Sequence, residues 1–228
     1  MKEELINADK FQLIGQLAAS ISHEIRNPLT TTRGFLQLMA RDNITAEIRN
    51  KFVNLAIESI VSANTIITDY LNFAKPNVEK IVPIDIKTEI SNSIPLINSL
   101  LTISNIEMHI QHATDQPLLI LGESKKLQQC LLNLLKNCIE AMPGGGKIMI
   151  HTSLESNLIL MSIEDTGEGM TPLQIKSLGL PFYTTKDNGT GLGLMVVTSL
   201  LKAMNGRISF LSKPNKGTTC LIEFKRIS

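Results

Sequence analysis

The chain has 228 residues, with 22 Lys+Arg against 21 Asp+Glu and a formal charge of +1. That balance excludes a global basic field for nucleic acid, so any polyanion is held at a local site. Aromatics at 4%, with no Trp, argue against stacking platforms for bases or sugars. Apolar residues at 43% and charged residues at 19% suit one or two compact units. No apolar run approaches the ~18–20 residues of a membrane span. The longest, Leu118-Leu119-Ile120-Leu121, is strand-sized, so this segment is expected to make no membrane contact. Met1-Lys2-Glu3-Glu4 does not lead into a signal-peptide core. Three cysteines, Cys130, Cys138 and Cys220, lack paired-ligand spacing and read as small buried apolar residues in a reducing cytoplasm.

The pattern changes near Lys75-Pro76. Residues 8 to 74 hold one Pro, two Gly and no strand-like alternation, and predict two long helices. The first spans about Ala8 to Ala40. Stepping ~100° per residue from Ile21, Ile14, Ile25, Thr32 and Met39 form one stripe. Asp42-Asn43 breaks the pattern, and Thr45 can cap the second helix. That helix carries two stripes, Ile48, Phe52, Leu55, Ile66, Tyr70 and Phe73 on one side and Val53, Ile57, Ile60, Ile67 and Leu71 on another. A helical hairpin buries one stripe per helix. The second stripe therefore predicts a dimer forming a four-helix bundle, the alternative being packing on the C-terminal half. Residues 1–75 are read as this helical domain, 76–82 as a linker and 83–228 as a second domain.

The second domain reads as α/β. Val82–Ile86, Ile106–Ile110 and Pro117–Leu121 are strand candidates. Thr88–Leu101 and Ser124–Met142 are helical, with Ser124 as N-cap of the latter. Lys147–Leu154 and Leu158–Glu164 resemble a hairpin. Thr171–Ser177 is a short helix opened by Pro172, Leu192–Met204 is a longer one, and Arg207–Leu211 and Thr218–Phe224 are final strands. One sheet with helices on a face is expected.

His23 lies ~200° from Ile21 by helical arithmetic, opposite the apolar stripe, with Gln16, Asn27 and Thr30 on its side. Its position rules out a core role and leaves an incidental surface histidine or a reacting one. Glu24 can orient the imidazole or take its Nδ1 proton, leaving Nε2 as nucleophile. Asn27, one turn on, can position water or a phosphoryl oxygen. Pro28 removes the helix hydrogen bond to the Glu24 carbonyl and is expected to bend the helix there. A zinc-protease reading needs a second His at position 27, which is Asn.

Four later segments carry complementary chemistry. On the Ser124–Met142 helix, Leu127, Leu131, Leu134, Cys138 and Met142 form the apolar side, and Gln129, Asn133, Lys136, Asn137 and Glu140 the opposite one. Amide oxygens can ligate a hard cation and Lys136 can meet phosphates, although an ordinary solvated face has the same look. Asp165-Thr166-Gly167-Glu168-Gly169 puts a carboxylate and two glycines after an apolar strand, suiting an exocyclic amine and a flat base, or simply a turn. Pro181-Phe182-Tyr183-Thr184-Thr185-Lys186 offers hydroxyls and a cation on a loop. Gly189-Thr190-Gly191-Leu192-Gly193-Leu194 opens a helix, where amides face phosphate. It is neither a GxxxxGK[ST] loop nor a dinucleotide fingerprint. Gly217-Thr218 is a tight turn or a further site element.

Taken in order, His23-Glu24-x-x-Asn27-Pro28, Asn133-x-x-x-Asn137, Asp165-x-Gly167-x-Gly169, Pro181-Phe182-x-Thr184-Thr185-Lys186 and Gly189-x-Gly191-x-Gly193-Leu194 resemble the five sequence boxes of the bacterial sensor histidine kinases. The resemblance runs from Lys10 to Phe224, and its wording is most similar to the sporulation kinases of spore-forming bacilli. It implies an antiparallel helical hairpin that dimerises as a four-helix bundle and carries the phosphoacceptor. A Bergerat-type ATP-binding α/β sandwich follows, with a mixed sheet and three main helices. By that resemblance His23 accepts the γ-phosphoryl of ATP, Glu24 is the base and Asn27 serves dephosphorylation of a partner. Asn137 holds Mg²⁺ with Asn133 close by, Lys136 faces the phosphates, Asp165 reads adenine, and Gly167 and Gly169 line the base. Residues 168–192 form a lid, with Thr185, Lys186, Gly189, Thr190, Gly191, Leu192, Gly193 and Leu194 around the nucleotide and Thr218 as a further contact. Gly179 stands where the family often has an aromatic residue, so lid packing differs. The implied partners are a second copy and a response-regulator receiver domain whose aspartate takes the phosphoryl group, as in the phosphorelay of sporulation initiation. A small protein inhibitor on the bundle is also compatible. The expected location is cytoplasmic, including the cytoplasmic part of a longer membrane-bound sensor.

Two rivals differ in class. Another ATPase of the same nucleotide fold would lack the hairpin with His-Glu-x-x-Asn-Pro. A non-catalytic dimer scaffold would have lost parts of the constellation, and none is missing. Acid-labile, base-stable protein labelling separates the first, and a Mg²⁺-nucleotide binding assay the second.

Overall fold

The computed structural model describes residues 2–41, 44–74, 81–180, 183–186 and 191–227, with side chains for all of these except 2–20, 69 and 72–74. Asp42-Asn43, the linker core 75–80, Pro181-Phe182 and Gly189-Thr190 lie outside the described residues. The chain divides into two units, 1–75 with 184–192 and 76–183 with 193–228.

The N-terminal sequence folds as helices α1 (Lys2–Met39) and α2 (Ala46–Ala74). Thr45 caps α2 as expected, its Oγ1 accepting from Ile48 N at 3.3 Å. Thr32 Oγ1 donates to the Ala56 carbonyl and the Phe35 ring stacks on Phe52 at 5.7 Å, a descending register that makes the hairpin antiparallel. Ile21, Thr32, Ala56, Ala63 and Ile66 are buried between the helices. The second stripe of α2 is left open, with Ile57 at 54% and Leu71 at 58% exposure, joined by Ile60, Val61 and Ile67. On α1, Leu29 and Leu36 are likewise exposed. Helix α1 runs six residues further toward the N-terminus than the periodicity suggested, and it continues through Pro28.

The second unit contains β1 (Val82–Asp85), α3 (Ile86–Ile103), β2 (Ile106–His112), β3 (Leu119–Gly122), α4 (Ser124–Glu140), β4 (Gly146–Glu155), β5 (Leu158–Asp165), α5 (Pro172–Ser177), α6 (Gly193–Ala203), β6 (Arg207–Ser212) and β7 (Thr218–Lys225). Five strands form a mixed sheet in the order β2-β4-β5-β7-β6, parallel between β2 and β4 and antiparallel elsewhere. Burial alternates along it. Ile148, Ile150, Ile159, Met161, Ile163, Ile222 and Phe224 are buried, while Lys147, Met149 and Glu164 face out. Helices α3, α4 and α6 cover the buried face through Ile90, Ile97, Leu127, Leu131, Leu135, Val196 and Leu200. Each such side chain contributes about 1.5–3 kcal/mol over its exposed state. All three cysteines are buried and outside any disulfide, and burial pushes the Cys130 and Cys220 thiols up to about 12.

Several expectations are corrected here. Strands β1 and β3 pair only with each other, so the described strands make two sheets rather than one. Ile86 opens α3 instead of closing a strand, because Asp85 takes the N-cap position and accepts from Lys87 N. Ser124 is not the N-cap of α4, since Glu123 stands there without a side-chain cap bond. The Ser124 hydroxyl instead donates to Glu89 Oε2 at 2.8 Å, and Gln128 Nε2 donates to the same oxygen at 2.9 Å. Ser124 stands inside the helix as its first residue, so its hydroxyl serves the buried Glu89 carboxylate on α3 and not the helix end. Strand β3 runs from Leu119 to Gly122 rather than 117–121, and α4 ends at Glu140.

Candidate functional site

In the helical unit His23 is exposed and Ile21, two residues earlier, is 3% exposed. The pair marks the wet and dry sides of α1 at this turn, as the periodicity required. Asn27 and Thr30 are exposed on the same side as His23, and Thr32 Oγ1 donates back to the Pro28 carbonyl at 2.9 Å. Glu24 is turned away from water. Its Oε2 is buried with no hydrogen-bond partner among the described residues, and desolvation raises its carboxyl above the ordinary 4.5. A carboxyl raised by burial binds protons more tightly folded than unfolded. Its cost is therefore absent below pH 4.5 and grows as pH rises through the raised value. Glu24→Gln is accordingly expected to raise the melting temperature at pH 7–8 and to lose that advantage near pH 4. A series of thermal melts across that range reads the effect, and an advantage independent of pH would refute it.

In the second unit, α4 packs against α3, α6 and β5. Its buried residues include Cys130, Leu135 and Ile139 besides the expected Leu127, Leu131, Leu134 and Cys138, so the polar face is narrower than half the helix. Asn133 and Asn137 are half-buried one turn apart, and Lys136 is exposed. Asn133 Nδ2 is buried with no hydrogen-bond partner among the described residues. Such an orphan amide is what a ligand-facing group looks like without its ligand.

Asp165, the last residue of β5, is 5% exposed. Its Oδ1 accepts from Gly167 N at 2.8 Å and Thr218 N at 3.2 Å. Desolvation raises its pKa above the ordinary 3.8, and these hydrogen bonds oppose that rise. The two glycines are explained by backbone packing. A Cβ on Gly167 would sit 2.5 Å from the Ala141 carbonyl oxygen, beside the bond from Glu168 N to that same oxygen. Gly169 has φ +65° and lies against the Lys213 carbonyl. The turn after Asp165 is thereby clamped between the end of α4 and the β6–β7 loop. Ser212, which the sequence pattern did not single out, braces that loop. Its Oγ lies 2.9 Å from Thr218 Oγ1, donates to the Gly217 carbonyl and accepts from Met170 N.

The structure thus joins Asp165, Gly167 and Thr218 directly and ties the turn to the end of α4 through the bond from Glu168 N to the Ala141 carbonyl. Gly193 and Leu194 begin α6, one residue after the expected start at Leu192. In the segment 184–192, Thr185 is exposed, Thr184 Oγ1 accepts from Lys186 N at 3.1 Å, Gly191 has φ +64° and Leu192 is buried. Gly189 and Thr190 lie outside the described residues. Gly179, in the place of the expected aromatic, has φ +78° and open space around it.

No group of three or more His, Cys, Asp or Glu side chains among the described residues can hold a metal ion. A divalent cation at this site would therefore rest on the amide oxygens of Asn137 and Asn133 together with phosphate oxygens, the ligand set that Mg²⁺ accepts. The orphan Asn133 Nδ2, a donor, suits a phosphate oxygen and leaves the amide oxygen for a cation, and the anchored Asp165 carboxylate suits a ligand N–H. No helix among the described residues is long and apolar enough to cross a membrane.

Residues 13–79 match the His Kinase A (phospho-acceptor) domain, and residues 122–227 match the histidine kinase-, DNA gyrase B-, and HSP90-like ATPase family. Sporulation kinase B of Bacillus subtilis is 39% identical over 98% of this chain and 52% of its own length. Sporulation kinase E of the same organism is 37% identical over 96% of this chain and 29% of its own length. The chain therefore spans about half or less of these two relatives. A crystal structure of histidine kinase ThkA in complex with response regulator protein TrrA superposes with a TM-score of 0.84, over 99% of this chain and 66% of that one, at 23% identity.

Proposed function

The chain belongs to the sensor histidine kinases, as their phospho-acceptor and ATP-binding portion, and on that premise we propose that it phosphorylates itself on His23 from ATP and passes the phosphoryl group to an aspartate of a receiver domain. The observation that carries this reading is the exposed His23 on the polar side of a helix matched by the phospho-acceptor family. In the proposed step His23 Nε2 attacks the γ-phosphorus. The N–P bond forms as the bond to the leaving ADP oxygen breaks, and the Nδ1 proton passes to Glu24. A carboxyl already raised by burial is a better base than an ordinary one. Asp165 holds the purine by its exocyclic amine, while Lys136 and the start of α6 meet the phosphates. Asn137 and Asn133 would hold Mg²⁺, which neutralises charge on the phosphate oxygens. Positioning and charge neutralisation supply most of the catalysis. Thr185, Lys186, Gly189, Thr190, Gly191 and Leu192 are assigned to the nucleotide as loop contacts.

Residues 1–75 act as the dimerisation and phosphoacceptor domain, 83–228 as the ATP-binding domain and 76–82 as the linker between them. The open stripe of Ile57, Ile60, Ile67 and Leu71 supports a homodimer closing a four-helix bundle. In the second transfer the receiver aspartate attacks phosphohistidine, which the lost helix hydrogen bond at Pro28 favours by loosening the turn that carries His23. The sporulation kinases among the relatives support a place in sporulation signalling, acting in the cytoplasm. Incubation with γ-labelled ATP and Mg²⁺, followed by a chase with candidate receiver domains, tests the reading. Acid-labile, base-stable label on the chain that moves to a receiver is the expected result. A label stable to acid, or none under conditions where nucleotide binds, would refute it.

A further inference from the structure

We propose that Ser212 is a positioning residue for base recognition, holding the Thr218 hydroxyl proton so that this hydroxyl meets a bound base only as an acceptor, beside the Asp165 carboxylate. This rests on the reading of Asp165 as the base-reading group and goes further by naming a second specificity-determining position and what sets its polarity.

Three strands bring the groups together. Asp165 on β5 stands opposite Thr218 on β7, and Thr218 stands opposite Ser212 on β6, so the three form one row across the sheet. Residues paired in this way project from the same face. On the far side of Asp165 the row continues to Ile148 of β4, which is buried, so the row lies on the helix-covered face. Thr218 and Ser212 are only half-buried, which leaves their end of the row within reach of a ligand.

The direction of the proton follows from a count. A serine hydroxyl has one O–H and two acceptor lone pairs. Ser212 Oγ lies 2.8 Å from the Gly217 carbonyl oxygen, which can only accept, so the Ser212 proton goes there. One lone pair takes the Met170 N–H at 2.8 Å. The other faces Thr218 Oγ1 at 2.9 Å, and with the serine proton already committed the donor is Thr218. The reverse arrangement would set lone pairs against each other at the Gly217 carbonyl. Thr218 Oγ1 makes no other hydrogen bond among the described residues, so what it offers outward is lone pairs. The Thr218 backbone N–H donates to Asp165 Oδ1 at 3.2 Å, which keeps the two acceptors adjacent. A base edge that carries an amine suits adjacent acceptors, whereas a 6-oxo group, itself an acceptor, does not. Without the Ser212 oxygen, the Thr218 hydroxyl can turn and donate to that oxo group.

The test compares ATP with inosine triphosphate, which has the same sugar and phosphates but a 6-oxo group in place of the amine. Equilibrium binding to the whole chain with Mg²⁺ gives the ratio of the two affinities. Ser212→Ala is expected to lower the preference for ATP roughly threefold to tenfold, the size of one neutral hydrogen bond. Ser212→Thr, which keeps the hydroxyl, should hold the ratio within about twofold of the parent. In a Thr218→Val background the hydroxyl through which Ser212 acts is gone. There Ser212→Ala should leave the ratio within about twofold of that background. An equal change for both nucleotides would show a brace for the loop and overturn the proposal. An unchanged ratio in Ser212→Ala overturns it too, and so does the same fall in the Thr218→Val background. Should Ser212→Ala fail to fold, Ser212→Cys decides, because its sulfur is a weaker acceptor for the Thr218 proton. A fall in the ratio then supports the proposal, and an unchanged ratio overturns it. The two layers fail differently. A parent with no preference for ATP, or a preference that Asp165→Asn leaves intact, defeats the reading of Asp165 and the proposal with it. A preference lost in Asp165→Asn but kept in Ser212→Ala overturns the proposal alone.

Discussion

His23→Gln is expected to bring acid-labile phosphoryl labelling to background while ATP affinity stays within about twofold, because no nucleotide-binding group changes. His23 is exposed and forms no hydrogen bond or ion pair among the described residues. Its replacement by another helix-compatible polar residue should therefore change stability by no more than about 0.5 kcal/mol. The loss then has one cause, the missing ring nitrogen, since the amide of Gln is not a nucleophile at phosphorus. The measurement is autoradiography after acid and after base treatment, with a parallel binding isotherm for ATP. Acid-labile label persisting in the variant would remove His23 from the mechanism. Loss of nucleotide binding together with label would point to a structural effect instead.

Asp165→Asn attacks the opposite end of the reaction. The amide keeps one oxygen, which can still accept from Gly167 N and Thr218 N, so the clamp on the turn survives. The other oxygen becomes an NH₂ group that meets the proposed purine amine donor against donor. Removing a charged hydrogen-bond acceptor is worth about 1.5–3 kcal/mol, so ATP affinity should fall by roughly 10- to 150-fold. Labelling of His23 should fall with it at subsaturating ATP, and His23 itself remains intact. The pH dependence has a definite sign. Burial raises the Asp165 carboxyl above 3.8, so ATP affinity in the parent should begin to drop, on acidification, at a higher pH than an ordinary aspartate would give. The same shift means that Asp165 is a stability cost that appears as pH rises through the raised value and stays constant above it. Asp165→Asn should therefore melt no lower than the parent at neutral pH. A variant that melts markedly lower, or binds ATP as tightly as the parent, would contradict this account.

The two variants divide the site by physical cause. His23 contributes a nucleophile and little packing. Asp165 contributes an acceptor whose geometry is held by two backbone amides. A chain that loses label in His23→Gln and ATP affinity in Asp165→Asn would have its phosphoacceptor and base reader assigned separately.

Helix periodicity and five ordered motifs were enough to read the helical hairpin, the exposed face of His23, the helix bearing Asn133 and Asn137, and the acid after an apolar strand. Each of these depends on residue type and local spacing, which a sequence carries directly. Thr45 shows the same for a boundary, because a hydroxyl cap is a local bond. Ser124 shows the limit. Its local context favours a cap, yet the helix begins on it, and its hydroxyl donates to the carboxylate of Glu89, 35 positions away. The reason for Gly167 and Gly169 was also out of reach, since both are dictated by carbonyls of residues 141 and 213 that approach only after folding. The separation of β1 and β3 into their own sheet depends on pairing, which alternation within a strand does not specify. What the sequence determined by itself is therefore the inventory of chemistry and the side of each element on which it lies. Only the tertiary structure decided which backbone amides fill Asp165 and that the Asn133 Nδ2 is buried without a partner among the described residues, because hydrogen bonds between distant segments depend on where chains cross and not on how residues are spaced.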